Sequence, residues 1–213
     1  PTGTANVAGP AYGVPADPRR SASVRAGSDG RPVDDGFAKS AEGERPFRLW
    51  RGAGNDAVVI ETLNRERTGL MGVSGLALNA PRVWRSLGRY PAPPIVLESP
   101  DDELPTDAAG VILANIGQVA FGGSLTDRAD PSDGFLEAVT VPRLPRRSIL
   151  ALGARMLRSS LDARPPARSY RVQRLRLSSD GHVPFHLDGE PVGSLPVDVR
   201  IEPGAVRLLV PSK

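Results

Sequence analysis

The sequence predicts a mainly β, α+β chain ending in an antiparallel β-sandwich-like domain with a few helices, and three observations carry that prediction. Gly 23 and Pro 22 among 213 residues punctuate regular structure too often for a helical bundle. The C-terminal segment alternates apolar and polar residues through Val197, Val199 and Ile201, then again through Val206, Leu208 and Val210. A hydrophobic content of 39% is sufficient for a sizeable core. Short alternating strands joined by tight turns are the pattern of packed antiparallel sheets.

Taken in order, residues 1–45 are rich in Gly, Pro, Ala and Asp, with a short helical turn expected after Asn6. Val33-Asp34-Asp35-Gly36 reads as a strand end meeting a turn. Phe47-Arg48-Leu49-Trp50 alternates like a strand that Gly52-Ala53-Gly54 breaks, and Ala57 to Arg67 has the length of a short helix. Leu76, Ala80, Val83, Trp84 and Leu87 fall at spacings of three and four, which predicts a helix over 72–90 with a kink or new start at Pro81. Ile95-Val96-Leu97, Val111-Ile112-Leu113 and Phe135 to Val141 are strand candidates, with an acidic hairpin-like stretch between the first two. An amphipathic helix is expected at Arg147 to Leu161. Tyr170, Val172, Leu175 and Leu177 change phase once, the mark of a bulge. Ser179-Asp180-Gly181 and Pro203-Gly204 read as turns.

Several function classes are excluded. No apolar run approaches the roughly 18 residues that a spanning helix needs. Zero cysteines remove disulfides, thiolate nucleophiles and thiolate zinc sites. His182 and His186, the only histidines, lie four apart in a predicted strand, which argues against a helical two-histidine metal site. Pro1-Thr2-Gly3-Thr4-Ala5-Asn6 lacks the charged and apolar regions of a signal peptide, so the chain reads as a piece with residues missing upstream. Net charge is +3, yet ten arginines against one acid, Asp162, lie between Val141 and Arg176. Such a stretch suits an anionic lipid or nucleic-acid surface, with a merely solvated arginine-rich face as the plainer alternative.

Four segments could carry chemistry. Gly3-Thr4-Ala5-Asn6 has small residues and a hydroxyl that let backbone approach a phosphate. Asp34 at a strand end could accept from a ribose or ligate magnesium. Asp127, Asp130 and Asp133 follow Gly122-Gly123, and Asp130 and Asp133 with the carbonyl of Phe135 supply hard oxygen ligands to a divalent cation. Three carboxylates so close repel unless something positive sits among them. Finally, Asp188-Gly189 makes a turn that delivers Glu190 just before Pro191, a geometry that suits taking a proton from a hydroxyl.

The order of these segments resembles the bacterial diacylglycerol kinase and sphingosine-kinase-like lipid kinase family. The matching residues are Pro1 to Asn6, Val33-Asp34, Asn115 with Gly122-Gly123, Asp130 to Glu137 as Asp-Pro-Ser-Asp-Gly-Phe-Leu-Glu, and Asp188-Gly189-Glu190-Pro191. The resemblance implies an ATP- and Mg2+-dependent lipid kinase in which Thr4 and Asp34 lie near the nucleotide. Asp130, Asp133 and the Phe135 carbonyl would hold a magnesium ion thought to be structural, and Glu190 would activate the lipid hydroxyl. Two departures stand out: Val7 replaces the family's second acid, and the Gly-Gly-Asp-Gly-Thr nucleotide loop is absent. Residues 1–35 would then close an incomplete α/β nucleotide-binding domain, with 36–213 as a β-rich lipid-binding domain that is inactive alone. The partners implied are a lipid with a free hydroxyl and a peripheral cytoplasmic membrane surface rather than nucleic acid, with a homodimer as a further expectation. An NAD kinase-like soluble enzyme and a non-catalytic lipid-binding protein are the alternatives.

Overall fold

In the computed structural model, residues 7–26, 30–65, 73–100, 104, 107–119, 123–156 and 158–210 are described. The helices are α1 (Ala8–Ala11), α2 (Pro18–Ala26), α3 (Asn55–Arg65), α4 (Val73–Arg89) and α5 (Arg146–Met156). The strands begin with β1 (Arg31–Ser40), β2 (Gly43–Phe47), β3 (Trp50–Gly54), β4 (Val96–Glu98), β5 (Ala108–Ala114) and β6 (Leu136–Pro142). They continue with β7 (Arg168–Val172), β8 (Arg174–Ser178), β9 (Pro184–Leu187), β10 (Glu190–Ser194) and β11 (Val197–Leu208). Two antiparallel sheets result, one ordered β2-β1-β11-β8-β4 and the other β10-β9-β3-β5-β6-β7. The architecture is therefore the sandwich-like, mostly β arrangement that the alternation predicts.

Burial explains the order. Strand β5 reads Ala-Ala-Gly-Val-Ile-Leu-Ala and is buried along its whole length, because it is covered on both faces. Val111 and Leu113 face the other sheet, where Leu175, Leu177, Val197 and Val199 complete one core. Ile112 and Ala114 face outward into a second core closed by Trp50, Leu125, Leu152, Leu161 and Val7. Each fully buried Val or Leu contributes about 2 kcal/mol. A third, smaller cluster packs Val58 and Leu63 of α3 against Val83 and Leu87 of α4. Pro81 lies inside α4, which continues through it.

Three local expectations change in instructive ways. Gly52-Ala53-Gly54 does not break a strand but belongs to β3. Its glycines mark close approaches, as glycine inside a strand does: a Cβ on Gly52 would sit 1.9 Å from Asp56 Oδ2, and Gly54 has φ +81. The phase change near Gln173 is not a bulge within one strand. Strand β7 ends the six-stranded sheet and β8 joins the other, so the chain crosses between layers and its inward face must switch.

Pro203-Gly204 is not a hairpin turn either, because β11 runs through it as one strand. Its register against β1 shifts between the Val33↔Val206 and Asp35↔Glu202 pairs, leaving a bulge where Gly204 takes φ +61. Proline, with no N–H to give the ladder, is tolerated there.

Asp34 closes that bulge. It lies in the middle of β1, not at a strand end, and is 2% exposed. Its Oδ1 accepts from Gly204 N at 2.8 Å, its Oδ2 from Gly134 N at 2.7 Å, and its own N–H donates to Pro131 O at 2.7 Å. The residue thus ties β1 to β11 and to the 131–134 loop. The domain boundary expected at residue 35 falls inside β1.

Charge-assisted bonds to buried backbone contribute about 1.5–3 kcal/mol each, and a donor left unpaired adds its desolvation cost. Asp34→Ala is therefore expected to lower unfolding free energy by about 3 kcal/mol in urea titration, with Asp34→Asn losing less.

Candidate functional site

The Asp-Gly pair forms a two-residue hairpin loop between β9 and β10, with Leu187 paired to Glu190. Asp188 has φ 47 and Gly189 φ 88, the positive angles that an Asp-Gly loop of this twist requires. The turn is anchored on every side. Asp188 Oδ1 accepts from Leu49 N at 3.0 Å and Trp50 N at 3.1 Å, and Oδ2 from Arg48 N at 3.1 Å. Asp188 N donates to Trp50 O at 2.9 Å. Asn64 of α3 donates to Gly189 O at 2.8 Å, and Gly189 N donates to His186 Nδ1 at 3.3 Å.

His186 is fully buried, and its Nε2 lies 2.6 Å from Asp56 Oδ2. Because Nδ1 accepts, Nε2 carries the proton and donates to Asp56. Gly52 makes room for this pair, since a side chain there would collide with both groups. The outcome is a turn that presents Glu190 on an exposed position whose backbone is fixed from the helix side and from β3. Neither Asp56 nor His186 entered the sequence reading as a site. The available signal was an aspartate in the first turn of a helix directly after two close glycines.

A second feature converges on the same end of the sandwich. Asn115, fully buried, donates from Nδ2 to Asp34 O at 3.0 Å and to Arg48 O at 3.0 Å. Arg48 Nε lies 3.2 Å from Asp35 Oδ1. Burial pushes the Asp35 carboxyl upward, and the Arg48 charge opposes that shift. Tyr12, just after α1, is pushed up to about 12, by burial first and then by the charges of Asp35 and Asp188. Asp34, Asp35, Arg48, Asn115, Asp188 and Tyr12 therefore form one polar assembly leading to Glu190. Thr4 lies outside the described residues, as does Gly122. A ribose or a metal ion would reach the Asp34 carboxylate only by displacing the backbone N–H groups it already holds.

The 130–135 loop meets the requirement for positive charge with arginine. Asp130 Oδ1 accepts from Ser132 N at 3.0 Å and Ser132 Oγ at 2.7 Å, with Arg31 at 3.9 Å. Asp133 Oδ1 accepts from Phe135 N at 3.0 Å, and Oδ2 pairs with Arg171 at 2.6 Å. Arg171 also stacks on the Phe135 ring, 4.0 Å from its centroid. Among the described residues, no group of three or more acidic or histidine side chains could hold a metal ion. As arranged, Asp130, Asp133 and the Phe135 carbonyl do not fit magnesium, because Arg171 would have to leave Asp133 first.

The arginines of 143–176 do not form a single free face. Arg143 donates to Pro91 O at 2.7 Å, Arg146 stacks on Trp84, and Arg155 donates to Arg164 O at 2.9 Å. Arg176 pairs with Asp198 at 2.9 Å. Arg143, Arg146 and Arg155 keep their charge in these contacts, whereas Arg171 and Arg176 pair with acids.

Residues 52–210 match the family described as the YegS C-terminal NAD kinase beta sandwich-like domain. A relative described as "Probable lipid kinase YegS-like" in Stenotrophomonas maltophilia (strain K279a) is 28% identical over 220 residues, covering 100% of this chain and 68% of the relative. Similar solved structures come from Bacillus anthracis str. Sterne. One covers 99% of this chain and 68% of its own at a TM-score of 0.73 and 17% identity. Another, described as a diacylglycerol kinase, covers 99% and 65% at 0.66 and 14%. At these identities the solved structures establish the fold.

Removing the carboxylate that collects the 48–50 N–H groups should loosen the turn. Asp188→Ala is expected to cost about 2–3 kcal/mol in chemical denaturation, and to speed amide hydrogen exchange at residues 48–50 and 189 before the rest of the sheet.

Proposed function

Since the chain belongs to the family of YegS C-terminal, NAD kinase beta sandwich-like domains, we propose that it carries the lipid-acceptor side of a lipid kinase, with Glu190 as the general base. The observation that supports this most is the fixed turn. A general base contributes only when its oxygen stands within hydrogen-bond reach of the proton it takes, and here the residues before Glu190 are tied to β3, α3 and His186.

Each group in the assembly has a task that its geometry suits. Asp188 spends its charge on backbone N–H groups, so it orients the turn and leaves the proton transfer to its neighbour. His186 and Asp56 hold the Gly189 amide from beneath. Asn115 fixes the 48–50 segment to β1, and Arg48 offsets the charge of Asp35. Glu190, exposed at the head of β10, accepts the hydroxyl proton as that oxygen forms its new bond to phosphorus. When bound, a nucleoside triphosphate would supply the phosphoryl group, the bond from its terminal phosphorus to the bridging oxygen breaking so that a nucleoside diphosphate leaves. No contact to it is assigned to Asp34, whose carboxylate is enclosed, and no step uses the 130–135 loop, whose role in this scheme is to anchor β1 through Asp34.

The test offers diacylglycerol and NAD side by side to the protein that carries this chain. Lipid phosphorylation is expected, and Glu190→Gln should lower its rate by about 10²–10⁴-fold while leaving the melting temperature unchanged. Undiminished lipid phosphorylation removes Glu190 from the mechanism, and exclusive phosphorylation of NAD removes the lipid reading.

A further inference from the structure

Arg51 is a cation placed inside the sandwich. It lies on β3 in register with Leu187 on one side and Leu113 on the other, both of them residues of the inter-sheet core. It is 1% exposed. Its Nε, Nη1 and Nη2 have no hydrogen-bond partner, and the guanidinium stacks on Phe47, 4.1 Å from the ring centroid. Val111, Leu177, Phe185 and Val197 wall the space beside it, which leaves no room for a water molecule. Burial lowers its pKa to about 9, with the charge of Asp188 opposing, so the group stays protonated at neutral pH.

A guanidinium carries five N–H donors in a planar fork. Enclosing those donors without acceptors is unfavourable, and an apolar side chain of similar volume at such a site is commonly neutral or stabilising. Arg51 therefore weakens the closed fold rather than supporting it. What would satisfy it is an acceptor brought from outside, and a carboxylate or phosphate matches the fork with two parallel bonds. The surroundings define the rest of such a ligand. The walls are hydrocarbon, so the anion must arrive on an apolar body. The approach is defined too: Glu190, Leu187 and Arg51 are successive partners across β10, β9 and β3, and paired residues share a face of the sheet. Arg51 thus sits two strands in from the β10 edge, on the face that meets the opposing layer.

We propose that Arg51 receives the anionic head of a single-chain amphiphile, a carboxylate or a phosphate monoester, which enters between the two sheets at the β10 edge and lays its tail against the Val111–Phe185 wall. The layers part at that edge to admit it. This site is independent of the proton transfer assigned to Glu190, and it is tested without measuring phosphorylation.

Octyl phosphate, octanoate, octanol and inorganic phosphate are titrated calorimetrically into the chain below their micellar concentrations, and melting is recorded without ligand. At least one of the two anionic amphiphiles is expected to bind one-to-one, about tenfold or more tighter than octanol. The head group preferred tells a carboxylate ligand from a phosphate. Arg51→Met is expected to lose that tenfold preference, keep octanol binding within about twofold, and melt at a higher temperature than the wild type. Lower melting or failure of Arg51→Met to fold would show that the guanidinium supports the fold and overturn the proposal. So would anionic amphiphiles that bind no tighter than octanol, or inorganic phosphate that binds as well as octyl phosphate.

Discussion

The carboxylate of Asp188 collecting the amides of Arg48, Leu49 and Trp50 is the interaction on which the candidate site depends. A tight hairpin loop at a sheet edge is ordinarily among the more mobile parts of a domain. Here one carboxylate acceptor set converts it into a fixed extension of β3. The same three N–H groups would otherwise stand unpaired where the chain enters the strand, so the bond network serves stability and placement at once. His186 and Asp56 complete the hold from the helical face, and Gly52 is the vacancy that allows them to meet.

Asp34 does comparable work at the neighbouring edge. Because it gathers Gly134 and Gly204, the bulge in β11 and the acidic 130–135 loop are both referred to β1. Asn115 then passes that reference to the backbone of Arg48. Two aspartates that bind backbone amides thus bracket the polar assembly, and Glu190 is an exposed carboxylate at its edge. Asp34 and Asp188, which receive backbone N–H groups, are structural.

Much of this was legible in the sequence, for identifiable reasons. Strict alternation after Val197 revealed a strand, spacings of three and four around Val83 and Leu87 revealed α4, and the Asp-Gly dipeptide revealed the β9–β10 turn. Where local pattern has more than one physical cause, the reading went astray. Glycine breaks a strand or admits a close neighbour, and only the position of Asp56 decides for Gly52. A phase change is a bulge or a crossing between layers, and Gln173 turned out to mark the crossing. Pro203-Gly204 turned into a bulge because Asp34, 170 residues away, captures the Gly204 amide. The engagement of Asp34, the His186–Asp56 pair and the enclosed Arg51 are all long-range facts that no spacing along the chain encodes. Of the residues singled out in advance, Glu190 is an exposed carboxylate directly after a turn whose residues are held in place.

The central claim is that a lipid hydroxyl comes to rest against Glu190. The most direct measurement replaces that hydroxyl with an epoxide on a diacylglycerol-like lipid, which a correctly placed carboxylate opens to form an ester, and locates the adduct by mass spectrometry of peptides. Labelling concentrated at Glu190 and suppressed by excess diacylglycerol is the predicted result. Labelling spread over exposed carboxylates, in the proportions given by an epoxide without a tail, would contradict it.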